Sequence, residues 1–166
     1  MTKRKWYYAL VLLQVLFLAT MSASYYAMDI WGKEITLRTE PIDPRDPFYG
    51  DYIRLEYEVE TIPEDRWKVE EELKEGERVF LILRDSGEGI YELDRATTMW
   101  PETEKAVVLQ AKYERYDSGS SNYHVDIGLS RYHVQENTGL LLERRETLFV
   151  DIVLAPWKQK KISEVK

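Results

Sequence analysis

The stretch DYIRLEYEVETI, residues 51–62, decides how most of this chain folds. Its apolar and polar residues alternate with a period of two, which is the pattern of a β-strand with one covered face and one face in water. The stretch therefore predicts a half-buried strand and a sheet to receive it. One face carries Ile53, Leu55, Tyr57 and Val59, and the other carries Tyr52, Arg54, Glu56 and Glu58.

Further strands are predicted on both sides of this stretch. One precedes it at residues 34–42, and others follow at 77–85, 90–100, 105–116, 123–134 and 147–155. Within the predicted strand 123–134, the alternation changes phase near Gly128–Ser130, which predicts a β-bulge there. Residues 158–161, KQKK, are interpreted as a basic tail after the last strand.

Two segments have the pattern of short helices. Residues 63–76, PEDRWKVEEELKEG, begin with proline and acids and end with glycine, which is the usual order at helix ends. Residues 135–146 give a weaker helical pattern, because Gly139 interrupts it. The expected fold class is α+β: an N-terminal transmembrane helix, then one mainly antiparallel β-rich domain with one or two short helices.

The N-terminal segment gives the strongest signal in the chain. Residues 6–28 contain no charged side chain, and as a helix these 23 residues would span about 34 Å, enough for a hydrocarbon core of about 30 Å. Lys3, Arg4 and Lys5 precede the run and Asp29 follows it. The positive-inside rule then predicts a single-pass cell-membrane protein, anchored by residues 1–32, with a cytoplasmic N-terminus and residues 33–166 outside.

A cleaved signal peptide is the competing interpretation of this segment. Ser22, Ala23 and Ser24 are small enough to form a cleavage site. Aromatic residues at both ends of the run favour an uncleaved anchor, because such residues gather at the two membrane interfaces. Both interpretations place the β-rich domain outside the cytoplasm.

Composition excludes several classes of function. The chain of 166 residues has a formal net charge of −7, and without the first 32 residues the balance is −9, so we expect no nucleic-acid partner. There is no cysteine, which excludes disulfides and thiol nucleophiles. The two histidines, His124 and His133, are an odd number of residues apart and do not predict a metal pair.

The carboxylates before the first quoted strand are the main chemical candidates. Asp43, Asp46 and Asp51 lie within nine residues and could bind calcium or act as an acid–base pair. Their spacing is not that of an EF-hand, and aspartate beside proline and glycine is ordinary turn chemistry. We favour the turn, and we expect no cofactor.

Two motifs resemble those of a known family. Gly50, Asp51 and Tyr52, followed by Leu55 and Tyr57, form G-D-Y-x-x-L-x-Y, and the segment LSRYHVQENTG, residues 129–139, is similar to a later motif of the same group. The chain therefore resembles the GDYXXLXY protein family, an uncharacterised bacterial group. The resemblance implies a membrane-anchored protein that works beside a multi-spanning membrane protein.

These observations lead to two functional hypotheses. The first is a non-catalytic binding or scaffolding module in the cell envelope, in which residues 43–52 and 128–139 form one joined surface. The second is an envelope hydrolase that uses Asp51 with Arg54 or Tyr52. No nucleophile or metal motif supports catalysis, so we favour binding. The candidate surface consists of Asp43, Asp46, Gly50, Asp51, Tyr52, Arg54, Leu55, Tyr57, Arg131 and Tyr132.

Overall fold

A computed structural model describes residues 2–42, 52–87, 89–101, 106–133 and 147–166. These residues form one long helix, ten strands and two short 3-10 turns, at Glu58–Glu60 and Glu64–Arg66. The helix α1 is Thr2–Trp31, and the strands are β1 Lys33–Ile42, β2 Tyr52–Tyr57, β3 Thr61–Pro63, β4 Arg78–Gly87, β5 Ile90–Thr97, β6 Val107–Asp117, β7 Asn122–Asp126, β8 Arg131–His133, β9 Leu148–Leu154 and β10 Lys160–Val165.

Helix α1 stands out from the rest of the chain. Its span Arg4–Trp31 is 28 residues long and includes an 18-residue stretch with a mean hydropathy of 1.6. Among the described residues, it is the one helix long and apolar enough to cross a membrane. At 1.5 Å per residue, the span is about 42 Å long, which exceeds the thickness of a hydrocarbon core. Its side chains are exposed along nearly the whole length, so the protein domain does not cover this apolar surface.

The ten strands form one sheet that curls into a half-barrel. Its main path is β10-β9-β1-β5-β4-β6-β7-β3, while β2 pairs with β1 and then with β8. The pairings between these strands are antiparallel except for β1 with β5, which run parallel and meet at Thr36 and Ile90. The predicted fold class, a membrane-type helix followed by a mainly antiparallel domain, is therefore confirmed.

Alternation along the strands builds the core on the inner face of the curl. On β2, Leu55 and Tyr57 are buried while Arg54 and Glu56 are exposed, as the period of two predicts. Central strand β4 lies between β5 and β6. Its buried residues join those of β1, β6 and β9 in the same cluster. The core residues from these four strands are Ile35, Leu37, Val79, Leu81, Leu83, Val107, Leu109, Ala111, Leu148, Val150 and Ile152.

The predicted helix at residues 63–76 is wrong. A single 3-10 turn forms at Glu64–Arg66, and the chain then leaves helical geometry. Trp67 makes a parallel bridge to Ala96, and its ring stacks on Tyr123 with centroids 4.1 Å apart. The segment has few apolar side chains that could hold a helix on the sheet, whereas the Trp67 ring covers apolar surface by stacking on Tyr123. The second predicted helix, 135–146, lies outside the described residues.

Two other predictions change near the ends of strands. The stretch 123–134 is not one bulged strand, because β7 ends at Asp126 and pairs with β6, whereas β8 begins at Arg131 and pairs with β2. Gly128 has a φ of 73° and lets the chain turn between them. Residues 158–161 were expected to be a tail after the last strand, but residues 160–165 form a further strand, β10, which pairs with β9.

The end of α1 is fastened to the sheet. Met28 is buried against Val153 and Ala155, and Asp29 Oδ1 lies 2.6 Å from Lys161 Nζ. Gly32 then enters β1 so closely that an added Cβ would lie 2.3 Å from the carbonyl oxygen of Met28. Helix and sheet therefore meet at a packed junction rather than through a slack linker.

Candidate functional site

Pairing of β2 with β8 brings the two motifs of the sequence together. Tyr52 is opposite His133, Ile53 is opposite Tyr132, and Arg54 is opposite Arg131. The described ends of the two predicted surface segments therefore lie side by side in one ladder. The remaining parts of those segments, residues 43–51 and 134–139, lie outside the described residues, so the full joined surface stays a prediction.

Tyr57 and Leu55 hold this ladder in place from the inside. The Tyr57 hydroxyl donates a hydrogen bond to the Leu129 carbonyl at 3.1 Å, and the Leu55 amide donates to the Ser130 carbonyl at 3.0 Å. Burial, helped by the negative charge of Glu60, raises the pKa of the Tyr57 hydroxyl, which therefore stays a donor. These two motif residues position the turn that leads into β8.

Glu60 completes the frame and was missed by sequence reasoning. Its Oε2 accepts the Tyr57 amide at 3.1 Å, and its Oε1 accepts the Ile127 amide at 2.9 Å. Burial raises the pKa of Glu60 from 4.5 to about 7, and the nearby carboxylates of Asp126 and Glu114 add to the effect. The available signal was its position three residues after Tyr57, the spacing of a carboxylate that caps a helical turn.

A carboxylate with a pKa near neutrality has the acidity of a general acid or base. In Glu60, however, each oxygen already accepts a backbone amide, and the residue does not line the cleft described below. Its geometry fits a cap that joins the end of β2 to the turn after β7. We therefore assign Glu60 a positioning role.

The exposed face of the ladder carries the charges. Arg54 and Glu56 point to solvent from β2, and Arg131 is exposed on β8 directly across from Arg54. Tyr132 is partly buried and packs against the core, so it supports the ladder from the other face. The exposed face of this ladder therefore offers charged side chains of both signs to a partner.

A cleft runs beside this face. Two adjoining cavities of about 460 Å³ and 290 Å³ share Arg38, Glu58 and Thr61 in their walls. Arg38 Nη1 and Glu58 Oε2 are 3.6 Å apart and both side chains are substantially exposed. At the far wall the Arg66 guanidinium donates to the Leu93 carbonyl at 2.6 Å, which holds the 3-10 turn against β5. The cleft is thus polar and open, with both signs of charge.

Several predicted site residues cannot be placed. Asp43, Asp46, Gly50 and Asp51 lie outside the described residues, so neither the calcium reading nor the pairing of Asp51 with Arg54 or Tyr52 gains a geometry. Among residues 2–42, 52–87, 89–101, 106–133 and 147–166, no group of three or more potential metal-ligating side chains comes together. The alternative of an envelope hydrolase stays a prediction.

The family of the chain follows from comparison with known proteins. The profile described as GDYXXLXY protein matches residues 14–164, which is nearly the whole chain. The chain therefore belongs to the GDYXXLXY family, a family of uncharacterised proteins. No curated protein and no solved structure matches it.

Proposed function

We propose that this protein is a membrane-anchored, non-catalytic binding or scaffolding module of the bacterial cell envelope. Helix α1 supplies an apolar span, and the basic residues before it with Asp29 after it favour a cytoplasmic N-terminus. The β-rich domain then stands on the outer side of the membrane. The packed junction at Met28 presents that domain in a defined orientation.

One observation carries the binding proposal: the two family motifs meet in the β2–β8 ladder, and their buried members serve to hold their exposed members. Tyr57 and Glu60 each make one hydrogen bond to the turn before β8, at Leu129 and Ile127, and a third hydrogen bond joins the Tyr57 amide to Glu60. Arg54, Glu56 and Arg131 are thereby presented on a supported strand pair beside an open polar cleft. This arrangement fits recognition of a protein segment with charged and polar side chains, because exposed charges of both signs at the edge of a cleft select partners by electrostatic complementarity.

The partner that we propose is another protein of the envelope, of the multi-spanning class. A single-pass helix offers its surface to lipid on all sides, and the side chains of α1 are exposed along nearly its whole length, so a second membrane helix could pack against it. A second membrane protein would meet both the helix and the ladder from the side.

Site-specific photocrosslinking in native membranes tests the binding proposal. A photoreactive residue replaces Arg54 or Glu56 in the full chain, and Arg115, which is exposed on β6, is replaced as the matched control. We expect the first two positions to give the same adduct, identified by mass spectrometry, and position 115 to give none. Equal labelling from all three positions, or none from positions 54 and 56, would refute recognition at the ladder.

The proposed topology is tested separately with thiol chemistry. The chain has no cysteine, so a single one introduced as Tyr116→Cys or Thr2→Cys is unique. In intact cells we expect a membrane-impermeant maleimide to label position 116 and to leave position 2 unlabelled until the cells are lysed. The reverse pattern would show that the domain is cytoplasmic.

A further inference from the structure

A group of large side chains is exposed on the domain where the sheet closes beside the helix. Met99, Trp100 and Trp157 have relative exposures of 77%, 50% and 41%. Lys158 Nζ lies 4.4 Å from the centroid of the Trp100 ring. We call these four residues the junction face.

The junction face lies at the membrane end of the domain. Trp157 follows Ala155 by two residues, and Ala155 packs with Met28, three residues from the end of α1. A cavity of about 160 Å³ is lined by Trp100, Ala155 and Lys158 together, so Trp100 belongs to the same corner. Ala155 therefore links this corner to the last turns of α1, since it packs in one cluster with Met28 and lines one cavity with Trp100 and Lys158.

The junction holds this corner close to the bilayer. Lys161 pairs with Asp29 and lies over the Tyr25 ring, with Nζ 4.3 Å from the ring centroid. Both partners belong to the last two turns of α1, where the span would leave the hydrocarbon core. Turning this corner away from the membrane would break the Met28 packing and the Lys161–Asp29 ion pair.

The chemistry of the face fits a lipid interface. Tryptophan prefers the headgroup level, where its ring meets acyl chains and its N–H meets water, and lysine reaches toward headgroups from an apolar base. Of the three lysines in residues 155–161, Lys161 pairs with Asp29 and Lys160 donates to the Gln110 carbonyl, whereas Lys158 is exposed beside Trp100. A domain whose net charge is −9 over residues 33–166 therefore turns an aromatic corner with an exposed lysine toward the membrane.

We infer that the junction face rests in the headgroup layer of the bilayer that α1 spans, and that it fixes the height and tilt of the domain above the membrane. The inference rests on the proposed membrane span, and it adds a second contact between the protein and lipid. The partner is the lipid surface itself. The β2–β8 ladder is then held at one orientation toward neighbouring membrane proteins.

Spin labels on single cysteines test the inference in the full chain. The absence of native cysteine means that Met99→Cys and Trp157→Cys each carry one label. Tyr116→Cys is the matched control, because Tyr116 has the same exposure as Trp157, 41%, but lies six residues beyond Gln110, which lines the cavity beside Trp100, or about 20 Å along β6. Leu16→Cys reports on the span itself.

The measured quantity is collision of each label with oxygen, which concentrates in lipid, and with a water-soluble nickel chelate. The protein is reconstituted in vesicles of phosphatidylethanolamine and phosphatidylglycerol. We expect the ratio of oxygen to nickel collisions to be highest at position 16 and lowest at the control position 116. At positions 99 and 157 we expect a ratio several-fold above that of the control.

Each contrary result has a distinct meaning. A high ratio of oxygen to nickel collisions (a lipid value) at position 16 with a low ratio (a water value) at positions 99 and 157 would overturn the junction face and leave the anchor intact. Water values at position 16 would overturn the span and this inference together. Lipid values at position 116 as well would mean that the domain has no specific membrane-facing corner, which also overturns the inference.

Discussion

Replacing Glu60 by glutamine tests the frame that holds the two motifs together. The substitution keeps the size of the side chain and one acceptor for a backbone amide, but it removes the carboxylate that titrates. In the folded protein the pKa of Glu60 is raised from 4.5 to about 7 by burial. The protonated form is therefore favoured in the folded state, and Glu60 makes its full contribution to stability below pH 4.5 and loses it as the pH rises through 7.

The size of the effect follows from that difference in pKa. A rise from 4.5 to about 7 corresponds to a loss of roughly 3 kcal/mol of unfolding free energy between acidic and neutral pH. Glu60→Gln does not show this loss. At low pH the variant is less stable than the wild type, because its amide group faces one of the two backbone amides and cannot accept from it. The deficit should shrink or reverse as the pH rises.

Urea unfolding of the full chain in detergent, followed by tryptophan fluorescence at pH 4.5, 6 and 8, measures the difference in unfolding free energy between wild type and variant. In that difference, the pH-dependent contributions of the carboxylates that both proteins share cancel. Glu56→Gln makes the same chemical change at an exposed position on β2 and is the matched control. A difference for Glu60→Gln that stays constant from pH 4.5 to 8 would refute a raised pKa at Glu60.

Three further substitutions examine other contacts in the domain. Tyr57→Phe removes the bond to the turn before β8 and leaves a carbonyl without its donor, so we expect a loss of about 1–3 kcal/mol by urea unfolding, while Tyr116→Phe at an exposed site should cost almost nothing. Gly32→Ala forces a Cβ to 2.3 Å from backbone, so thermal unfolding should begin at the helix–sheet junction at lower temperature; Gly119→Ala, where the nearest atom is a side-chain oxygen at 3.3 Å, should be tolerated. Trp67→Ala removes a stacked aromatic pair and should cost at least about 2 kcal/mol by urea unfolding, whereas a small effect would mean that the stack does not stabilise segment 67–76.

Strands were predictable because their signal is local. A period of two over several residues decides which side chains are covered, and the buried and exposed sets on β2 follow it residue by residue. The long apolar run of α1 is equally local, because no tertiary contact is needed to make 23 uncharged residues helical in an apolar medium. Leu55 and Tyr57 were expected to face the core, and they do.

The prediction of a helix at residues 63–76 was wrong because the local helix signals were weaker than one long-range contact. Proline, acids and glycine stood in the right order for a helix, yet the indole of Trp67 finds the ring of Tyr123, far away in sequence. End signals are worth about 1 kcal/mol each, whereas two partly buried rings gain about 0.5–1.5 kcal/mol from stacking in addition to the apolar surface that they cover. The change of partner after Gly128 was invisible for a similar reason, since a pause in alternation does not say which strand receives the next segment.

The sequence by itself determined the two-part plan of this protein: an apolar helix, then a sheet with one covered face. It also indicated the family through two short motifs. Only the tertiary structure decided that these motifs pair as β2 and β8, that Glu60 accepts an amide of the turn before β8, and that Trp100 and Lys158 line one cavity with Ala155. Periodicity is read along the chain within a few residues, but pairing between distant strands depends on which surfaces bury the most area together, and that is a property of the folded chain as a whole.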